Sequence, residues 1–231
     1  SYRAIVRAVA GGATTQNEIA QRTGLANDTA LREKLTRLQS LGYVGEVSNY
    51  NRARNAARRY AVADPAHRFH QRFVEPNTSA LEMFGAEQVW KEIVAPALDT
   101  YMGHEFERIV SQAYPRLATA RNLPLIREWS RWEGKVRDGG TAEIDIVAPL
   151  LRGSHMLTGS IKWGAAPRPA KDFTEHRRSL ERVADSGQAW AHSALEPDSP
   201  MLFVAAGGFE PGFADTAEAS GHHVTLWTLA D

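Results

Sequence analysis

Two short stretches of the chain decide its fold: AEIDIVA at residues 142–148 and LTGSIKW at residues 157–163. In both stretches apolar and polar residues alternate, which is typical of a strand with one buried face. Gly139-Gly140 precedes the first stretch, and Arg152-Gly153-Ser154 lies between the two, so turns are expected at both places. The pattern predicts two neighbouring strands that form a hairpin.

The polar side chains of the two strands share faces, because side chains two residues apart on a strand point the same way. Glu143 and Asp145 therefore lie on one face of the first strand, and Ser160 and Lys162 on one face of the second. In a hairpin these four groups converge on one patch. Hard oxygen ligands beside a lysine are what a magnesium-dependent phosphodiesterase uses, so the patch is a candidate catalytic site.

An acid on one strand followed by x-Ile-Lys on the next resembles the PD-(D/E)xK, or restriction-endonuclease-like, nuclease core. In that core an Asp ends one strand and Glu-x-Lys lies on the next. Asp145 matches the Asp and Lys162 matches the Lys, whereas Ser160 stands at the Glu position. The resemblance therefore implies a site that lacks one metal ligand. The alternative is a surface hairpin with ordinary solvated charges.

Nucleases of this group carry a further acid on their first helix, in a context similar to Gly-x-x-x-Glu. Gly103 and Glu107 match that context in a stretch of helical pattern. The resemblance implies that Asp145 and Glu107 bind Mg²⁺, that Lys162 stabilises charge on the phosphate, and that Glu143 compensates for the missing acid. The alternative for Glu107 is a solvated acid on a helix surface.

Composition limits the possible functions. With 231 residues, 43% of them hydrophobic, the chain can bury one large core or two small ones. It has no run of eighteen apolar residues, so no membrane partner is expected. The absence of cysteine excludes disulfides and cysteine-ligated zinc and agrees with a cytoplasmic location. No phosphate-binding loop motif occurs, so the chain has no ATP site.

The zero net charge conceals a division of the chain. Residues 1–79 contain 12 Lys and Arg and six acidic residues, a net charge of +6, and residues 80–231 have a net charge of −6. A basic first third favours a polyanionic partner there. The polar segment Glu75–Ser79 contains a proline and is suited to a linker. Two domains are therefore expected, at residues 1–75 and 80–231.

The basic third has a regular order of predicted elements. A short helix covers Tyr2–Ala10, and Thr14 or Thr15 can cap the next helix, with Glu18 placed for a capping box. A longer helix runs from about Asp28, capped by Asn27, to Leu41, with leucines at helical spacing. Two strands follow, at residues 43–47 and 59–62, and the loop between them is rich in arginine.

This order resembles a winged helix-turn-helix domain over roughly residues 2–65. In such domains the second helix of the pair enters the major groove and the wing contacts the backbone. The alternative is a winged helix that binds protein. The resemblance implies a DNA-binding set of Thr29, Arg32, Thr36 and Arg37 on the helix, with Arg52, Arg54, Arg58 and Arg59 in the wing.

After Lys162 the pattern predicts a helix over residues 173–186, a buried strand over 201–206, a helix over 213–220 and a strand over 224–227. Strands that alternate with helices indicate an α/β domain. The expected fold class is therefore α/β: an N-terminal winged helix-turn-helix followed by an α/β/α restriction-endonuclease-like domain with a mixed sheet.

The complete order of parts is similar to the C-terminal part of archaeal-type AAA+ ATPases, whose tail is a domain of unknown function with a restriction-endonuclease-like fold. The resemblance implies an upstream ATPase domain as partner in a longer parent chain. The leading hypothesis is a DNA-binding fragment whose nuclease-like domain has weak or lost activity and binds Mg²⁺ weakly or not at all. The alternatives are an active magnesium-dependent DNA endonuclease and a protein–protein regulatory module of an ATPase.

Overall fold

The computed structural model describes residues 2–47, 49–51 and 58–231. The chain divides into two compact units, Ser1–Leu98 and Asp99–Asp231. Both contain helices and strands, and the second is built on a five-stranded mixed sheet, so the predicted α/β class is confirmed. The arginine-rich loop falls partly outside the described residues, and Arg52 and Arg54 with it.

The first unit begins with three helices and a hairpin. One side of the first helix is apolar, and its residues Ile5, Val6 and Val9 are buried. They belong to the same core as Leu31, Leu35 and Leu38. The elements are α1 (Tyr2–Ala10), α2 (Gln16–Thr23), α3 (Thr29–Ser40), β1 (Val44–Val47) and β2 (Arg59–Val62).

Side-chain caps set where the helices begin. The predicted capping box of α2 is present, with Thr15 and Glu18 each bonding the backbone of the other. The predicted cap of α3 was wrong by one residue: Asp28 accepts the Leu31 N–H at 3.0 Å, whereas the Asn27 amide bonds Asn17 at 3.3 Å. Asp28 has an extended backbone conformation, and its carboxylate accepts a hydrogen bond from a free N–H of the first helical turn. This is the physical role of an N-cap.

The hairpin closes the small core of this unit. Strands β1 and β2 are antiparallel, with Val44 opposite Val62 and Val47 opposite Arg59. A bridge between Thr15 and Arg59 adds a third extended segment to this pair, and the Tyr60 N–H donates to the Thr14 carbonyl at 2.7 Å. The hairpin is therefore tied to the start of α2 as well as to itself.

A succession of helical segments covers residues 65–118, including the segment expected to be a linker. Glu75 lies in a 3₁₀ turn and accepts hydrogen bonds from Arg3, at 3.1 Å, and from Arg7. These bonds lower the pKa of Glu75 to about 2. The segments are α4 (Pro65–Phe69), a π-helical turn (His70–Val74), the 3₁₀ turn (Glu75–Asn77), α5 (Thr78–Val89), a second π-helical turn (Trp90–Val94) and α6 (Ala95–Ala118).

The second unit has its five strands in sequential order across one sheet. Adjacent strands are antiparallel among the first three and parallel among the last three, so the third strand has one antiparallel and one parallel neighbour. The remaining elements are β3 (Ser130–Lys135), β4 (Thr141–Pro149), β5 (Met156–Lys162), α7 (Lys171–Asp185), α8 (Ala189–Ala194), β6 (Met201–Ala205), α9 (Phe213–Glu218) and β7 (Val224–Trp227). None of the helices in the described ranges is both long and apolar enough to cross a membrane.

Helices cover both faces of this sheet. On one face, Phe106 and Val110 of α6 pack with Ile146 and Leu202. On the other face, Phe203 contacts aromatic side chains of α7 and α9. Strands β5 and β6 approach closely at Gly159, where an added Cβ would lie 1.8 Å from a backbone oxygen of β6. Glycine is therefore required in the strand that carries the candidate lysine.

Candidate functional site

The structure brings Asp145 and Ser160 together. Strands β4 and β5 are antiparallel, and Ile146 lies opposite Gly159. Asp145, which precedes Ile146, therefore lies opposite Ser160, which follows Gly159. The Ser160 hydroxyl donates to Asp145 Oδ2 at 2.9 Å, and the Ile161 N–H donates to the same oxygen at 2.8 Å. One oxygen of the predicted acid is thus held by β5.

Arg168 occupies the space beside Ser160. Its guanidinium donates from Nη2 to Ser160 Oγ at 2.8 Å and from Nη1 to the Ser160 carbonyl at 2.9 Å. Its Nε donates to Asp172 Oδ2 at 3.1 Å. Arg168 is only 4% exposed, and burial lowers its pKa while Asp172 and Asp145 oppose that change. A buried cation therefore lies where the motif would have a metal-binding carboxylate.

Lys162 lies on the same strand face as Ser160 and pairs with Asp172, from Nζ to Oδ2 at 3.2 Å. Its side chain is 55% exposed, so it lies at the mouth of the site, whereas Asp172 is buried. Asp172 consequently contacts two cations through the same oxygen, and its single negative charge balances only one of them. Because a charge pair near solvent is weakly held, Lys162 can exchange this partner more easily than Arg168 can.

Sequence reasoning did not identify Arg168 and Asp172. Their spacing, i and i+4 at the beginning of a helix, was the available signal. Such a spacing is common on helix surfaces, where it has no functional meaning. The strand pattern contains no information about which helix packs over the strands, so neither residue could be assigned to the site in advance.

Glu107 on α6 lies within electrostatic range of the two acids on β4. The pKa of Glu107 is raised to about 7, chiefly by burial and then by the charges of Asp145 and Glu143, while Arg131 and Arg108 act in the opposite direction. The neighbouring Glu105 is also buried, 3.7 Å from Arg108.

Glu143 of β4 forms an ion pair with Arg131 of β3. Its side chain is half exposed. Arg131 also contacts Glu133, at 3.3 Å, so the guanidinium is shared between two carboxylates. The negative charge of Glu143 is therefore near solvent and is already paired with Arg131.

A polar cavity of about 290 Å³ opens over these strands. At its inner wall lies His176, whose Nε2 is buried and has no hydrogen-bond partner. Burial lowers the pKa of His176 to about 3, and the charge of Arg168 contributes, so the imidazole is neutral at physiological pH. The cavity is lined by Glu143, Ser160, Lys162, Arg168, Asp172 and His176, among others.

These residues do not fit a carboxylate-rich magnesium site. Mg²⁺ needs oxygen ligands in near-octahedral geometry. Within the described ranges, no three Asp, Glu, His or Cys side chains are grouped so that they could hold a metal ion. Instead, one oxygen of Asp145 accepts two hydrogen bonds, and the nearby positive charge comes from Arg168.

The predicted DNA-binding residues of α3 lie on its exposed face. Thr29, Arg32, Thr36 and Arg37 are all exposed, opposite the buried leucines. The two arginines form no ion pair with any residue that the structure describes, and the Thr36 hydroxyl donates to the Arg32 carbonyl at 3.0 Å. This face is therefore open to a partner.

Of the predicted wing, the structure describes only the residues nearest the two strands. Arg58 lies 3.8 Å from Glu46, and Arg59 is exposed at the beginning of β2. Arg52 and Arg54 lie outside the described residues, so their predicted role stays a prediction. The described part of the hairpin therefore presents two of the four predicted arginines.

Residues 70–175 match the model of a family described as archaeal and bacterial proteins of unknown function, DUF234. The match includes β4, β5 and the beginning of α7, so it contains Asp145, Ser160, Lys162, Arg168 and Asp172, whereas His176 follows its last residue. The match agrees with one element of the resemblance described above, namely a domain of unknown function found in archaea and bacteria. Neither a curated protein nor a solved structure matches the chain.

Proposed function

We propose that this chain binds duplex DNA through a winged helix-turn-helix domain and carries a restriction-endonuclease-like domain that has lost metal-dependent cleavage. The arrangement of the first unit supports the winged-helix assignment. Two helices joined by a short turn are followed by an antiparallel hairpin, and a bridge at Thr15 adds a third extended segment. This is the order in which helix-turn-helix domains with a wing are built.

The observation that carries the proposal is the open face of α3. Its 12 residues span about 18 Å, which suits the major groove of B-DNA. Leu31, Leu35 and Leu38 bury one side of this helix, so its threonines and arginines must face outward. Arg32 and Arg37 carry positive charge that no described acid neutralises, as phosphate or guanine contacts require.

The second unit supports the nuclease-like assignment by the placement of its polar residues. Asp145 and Lys162 lie on the adjacent strands β4 and β5, and the charge of Asp145 raises the pKa of Glu107 on α6, as the proposed motif would require. The same site argues for lost cleavage, because Arg168 provides the positive charge internally and Ser160 replaces the motif acid. A dication bound beside Ser160 would be repelled by the Arg168 guanidinium, whose Nη2 lies 2.8 Å from Ser160 Oγ.

A salt titration of DNA binding by the full chain tests the proposal. If roughly four phosphates are neutralised, log K falls against log salt with a slope of about −3.6. Replacing both Arg32 and Arg37 by Gln should reduce the slope by about 1.8, since each lost phosphate contact removes about 0.9. The exposed Arg178→Gln in the second unit is the matched control and should leave the slope unchanged.

Absence of DNA binding at low salt, or binding that does not depend on salt, would contradict the DNA-binding proposal. Either result would favour the alternative of a protein–protein regulatory module. Equal slopes for the double variant and the parent would show that α3 is not the contact surface.

One observation favours a second candidate, a DNA endonuclease that uses a divalent metal. The pKa of Glu107 is raised partly by Asp145 and Glu143, so three acids share one region of the protein. A plasmid-nicking assay with Mg²⁺ or Mn²⁺ distinguishes the candidates. The proposed function predicts no cleavage above the no-protein control, whereas cleavage that Asp145→Ala abolishes would establish the endonuclease.

A further inference from the structure

A second cavity, of about 470 Å³, lies in the first unit and takes no part in the site described above. It runs between α1, the end of α3 and the beginning of the helical segment after β2. Its apolar lining is formed by Tyr2, Val6, Leu38, Leu41 and Tyr43. We call it the α1–α3 groove.

The groove leaves large apolar side chains in contact with water. Leu41 is 62% exposed, Tyr43 46% and Tyr2 43%, although the floor residues Val6 and Leu38 are buried. Clustered exposed apolar side chains around a concave surface mark a binding site more often than isolated ones do. A cavity of this volume is within the range that holds small organic ligands.

The polar part of the lining is basic. Arg3, Arg37, His67 and His70 line the groove, and no carboxylate does so among the residues that the structure describes. Arg3 already pairs with Glu75, at 3.1 Å. Arg37 has no ion pair within the described chain, so it presents an uncompensated guanidinium beside apolar surface.

We propose that the α1–α3 groove binds a small amphipathic carboxylate, with its apolar ring or chain against Leu41 and Tyr43 and its carboxylate on Arg37. Guanidinium and carboxylate groups form paired hydrogen bonds, which makes Arg37 the group that selects an anion. The apolar lining supplies most of the binding free energy, and the charge decides which amphipathic molecules enter.

The regulatory consequence of this binding rests on the proposed function. Arg37 belongs both to the groove and to the exposed face of α3 assigned to DNA. A carboxylate held on Arg37 removes one phosphate contact, so ligand and DNA weaken each other's binding by the same factor. The ligand would act as a negative effector of DNA binding.

Isothermal titration calorimetry on the full chain tests the groove without involving DNA. The probes are 4-phenylbutyrate and 4-phenylbutylamine, which share a phenylalkyl body and differ in charge. The carboxylate should bind at least tenfold more tightly than the amine. Arg37→Gln should weaken carboxylate binding about tenfold, and Leu41→Glu should abolish it. Arg32→Gln is the matched control, because Arg32 is exposed on the same helix but does not line the groove.

Equal affinity for the two probes, no binding of 4-phenylbutyrate, or an Arg37→Gln variant that binds like the parent would each overturn the proposal. Binding of an amphipathic peptide without binding of the carboxylate would do the same and would make the groove a protein-docking surface. Since calorimetry uses no nucleic acid, carboxylate binding by a chain that does not bind DNA would support the groove and contradict only the proposed function.

Discussion

Replacing Arg168 by Met tests whether the buried ion pair holds the second unit together. Methionine keeps an unbranched stem beside the Phe203 ring, whose centre lies 5.1 Å from the guanidinium carbon. The change removes the bond to Asp172 and the two bonds to Ser160. The fall in the free energy of unfolding therefore reports mainly the removal of the guanidinium charge and its hydrogen bonds.

Removing one partner of a buried ion pair costs about 3–5 kcal/mol, since the other charge remains buried. Lys162 still contacts Asp172 after the substitution, so we expect the lower end, about 3 kcal/mol. Unfolding entropy is about 2.1 cal/mol/K per residue. For the 133 residues from Asp99 to Asp231 this corresponds to a fall in Tm of about 10 °C.

Urea denaturation followed by tryptophan fluorescence measures this loss, because five of the six tryptophans lie in the second unit. Arg178→Met, at an exposed position of α7, is the control and should change stability by less than about 0.5 kcal/mol. In a double-mutant cycle, Arg168→Met and Asp172→Asn should be non-additive by more than about 1 kcal/mol. An Arg168→Met loss below about 1 kcal/mol, or additive losses, would refute the reasoning.

Three further substitutions test other parts of the structure. Glu107→Gln should remove a pH dependence: the folded-state pKa of about 7 is raised from 4.5, so stability present below pH 4.5 is lost as pH rises through 7. The shift is worth about 3 kcal/mol at most, and partial exposure reduces this to about 1–2 kcal/mol; urea unfolding at pH 5 and pH 8 should therefore differ in the parent more than in the variant. Gly159→Ala should cost at least about 2–3 kcal/mol by the same assay, because the new methyl group would lie 1.8 Å from the Leu202 carbonyl oxygen; a parent-like midpoint would contradict this close approach. Asp28→Ala should cost about 1 kcal/mol through loss of the α3 cap, measured by thermal circular dichroism, and Asn27→Ala serves as its control; equal losses would show that the cap is not at Asp28.

Local elements were predictable because their causes are local. The capping box at Thr15 depends on residues three apart, and the leucine spacing of α3 depends on helix geometry alone. The period of two along β4 and β5 predicts that Asp145 shares a face with Glu143, and Ser160 with Lys162. In the structure Ser160 bonds Asp145 across the two strands, and an extra residue of β4 between Ile144 and Val147 interrupts the period. Boundaries were less accurate, as the cap of α3 shows, because neighbouring Asn and Asp can both cap a helix.

The site itself was predictable only in part. Alternation and the resemblance together identified Asp145, Ser160 and Lys162, which the structure places on adjacent strands. The partners of these residues could not be identified in the same way. Arg168 and Asp172 follow β5 in a loop and a helix, and ion pairing depends on distance through space rather than on spacing along the chain.

The sequence by itself determined helices α1 to α3, strands β4 to β7 and the charge difference between the two parts of the chain, since each follows from periodicity or composition. Only the tertiary structure decided the strand order, the requirement for Gly159 and the buried guanidinium beside Ser160. The close approach at Gly159 and the buried guanidinium arise where β6 and the segment from Arg168 to Asp172 meet β5, and burial there makes unpaired charge and excess volume costly. The physical reason is that packing brings together residues that are distant in the chain, so the character of the site depends on contacts that no local pattern contains.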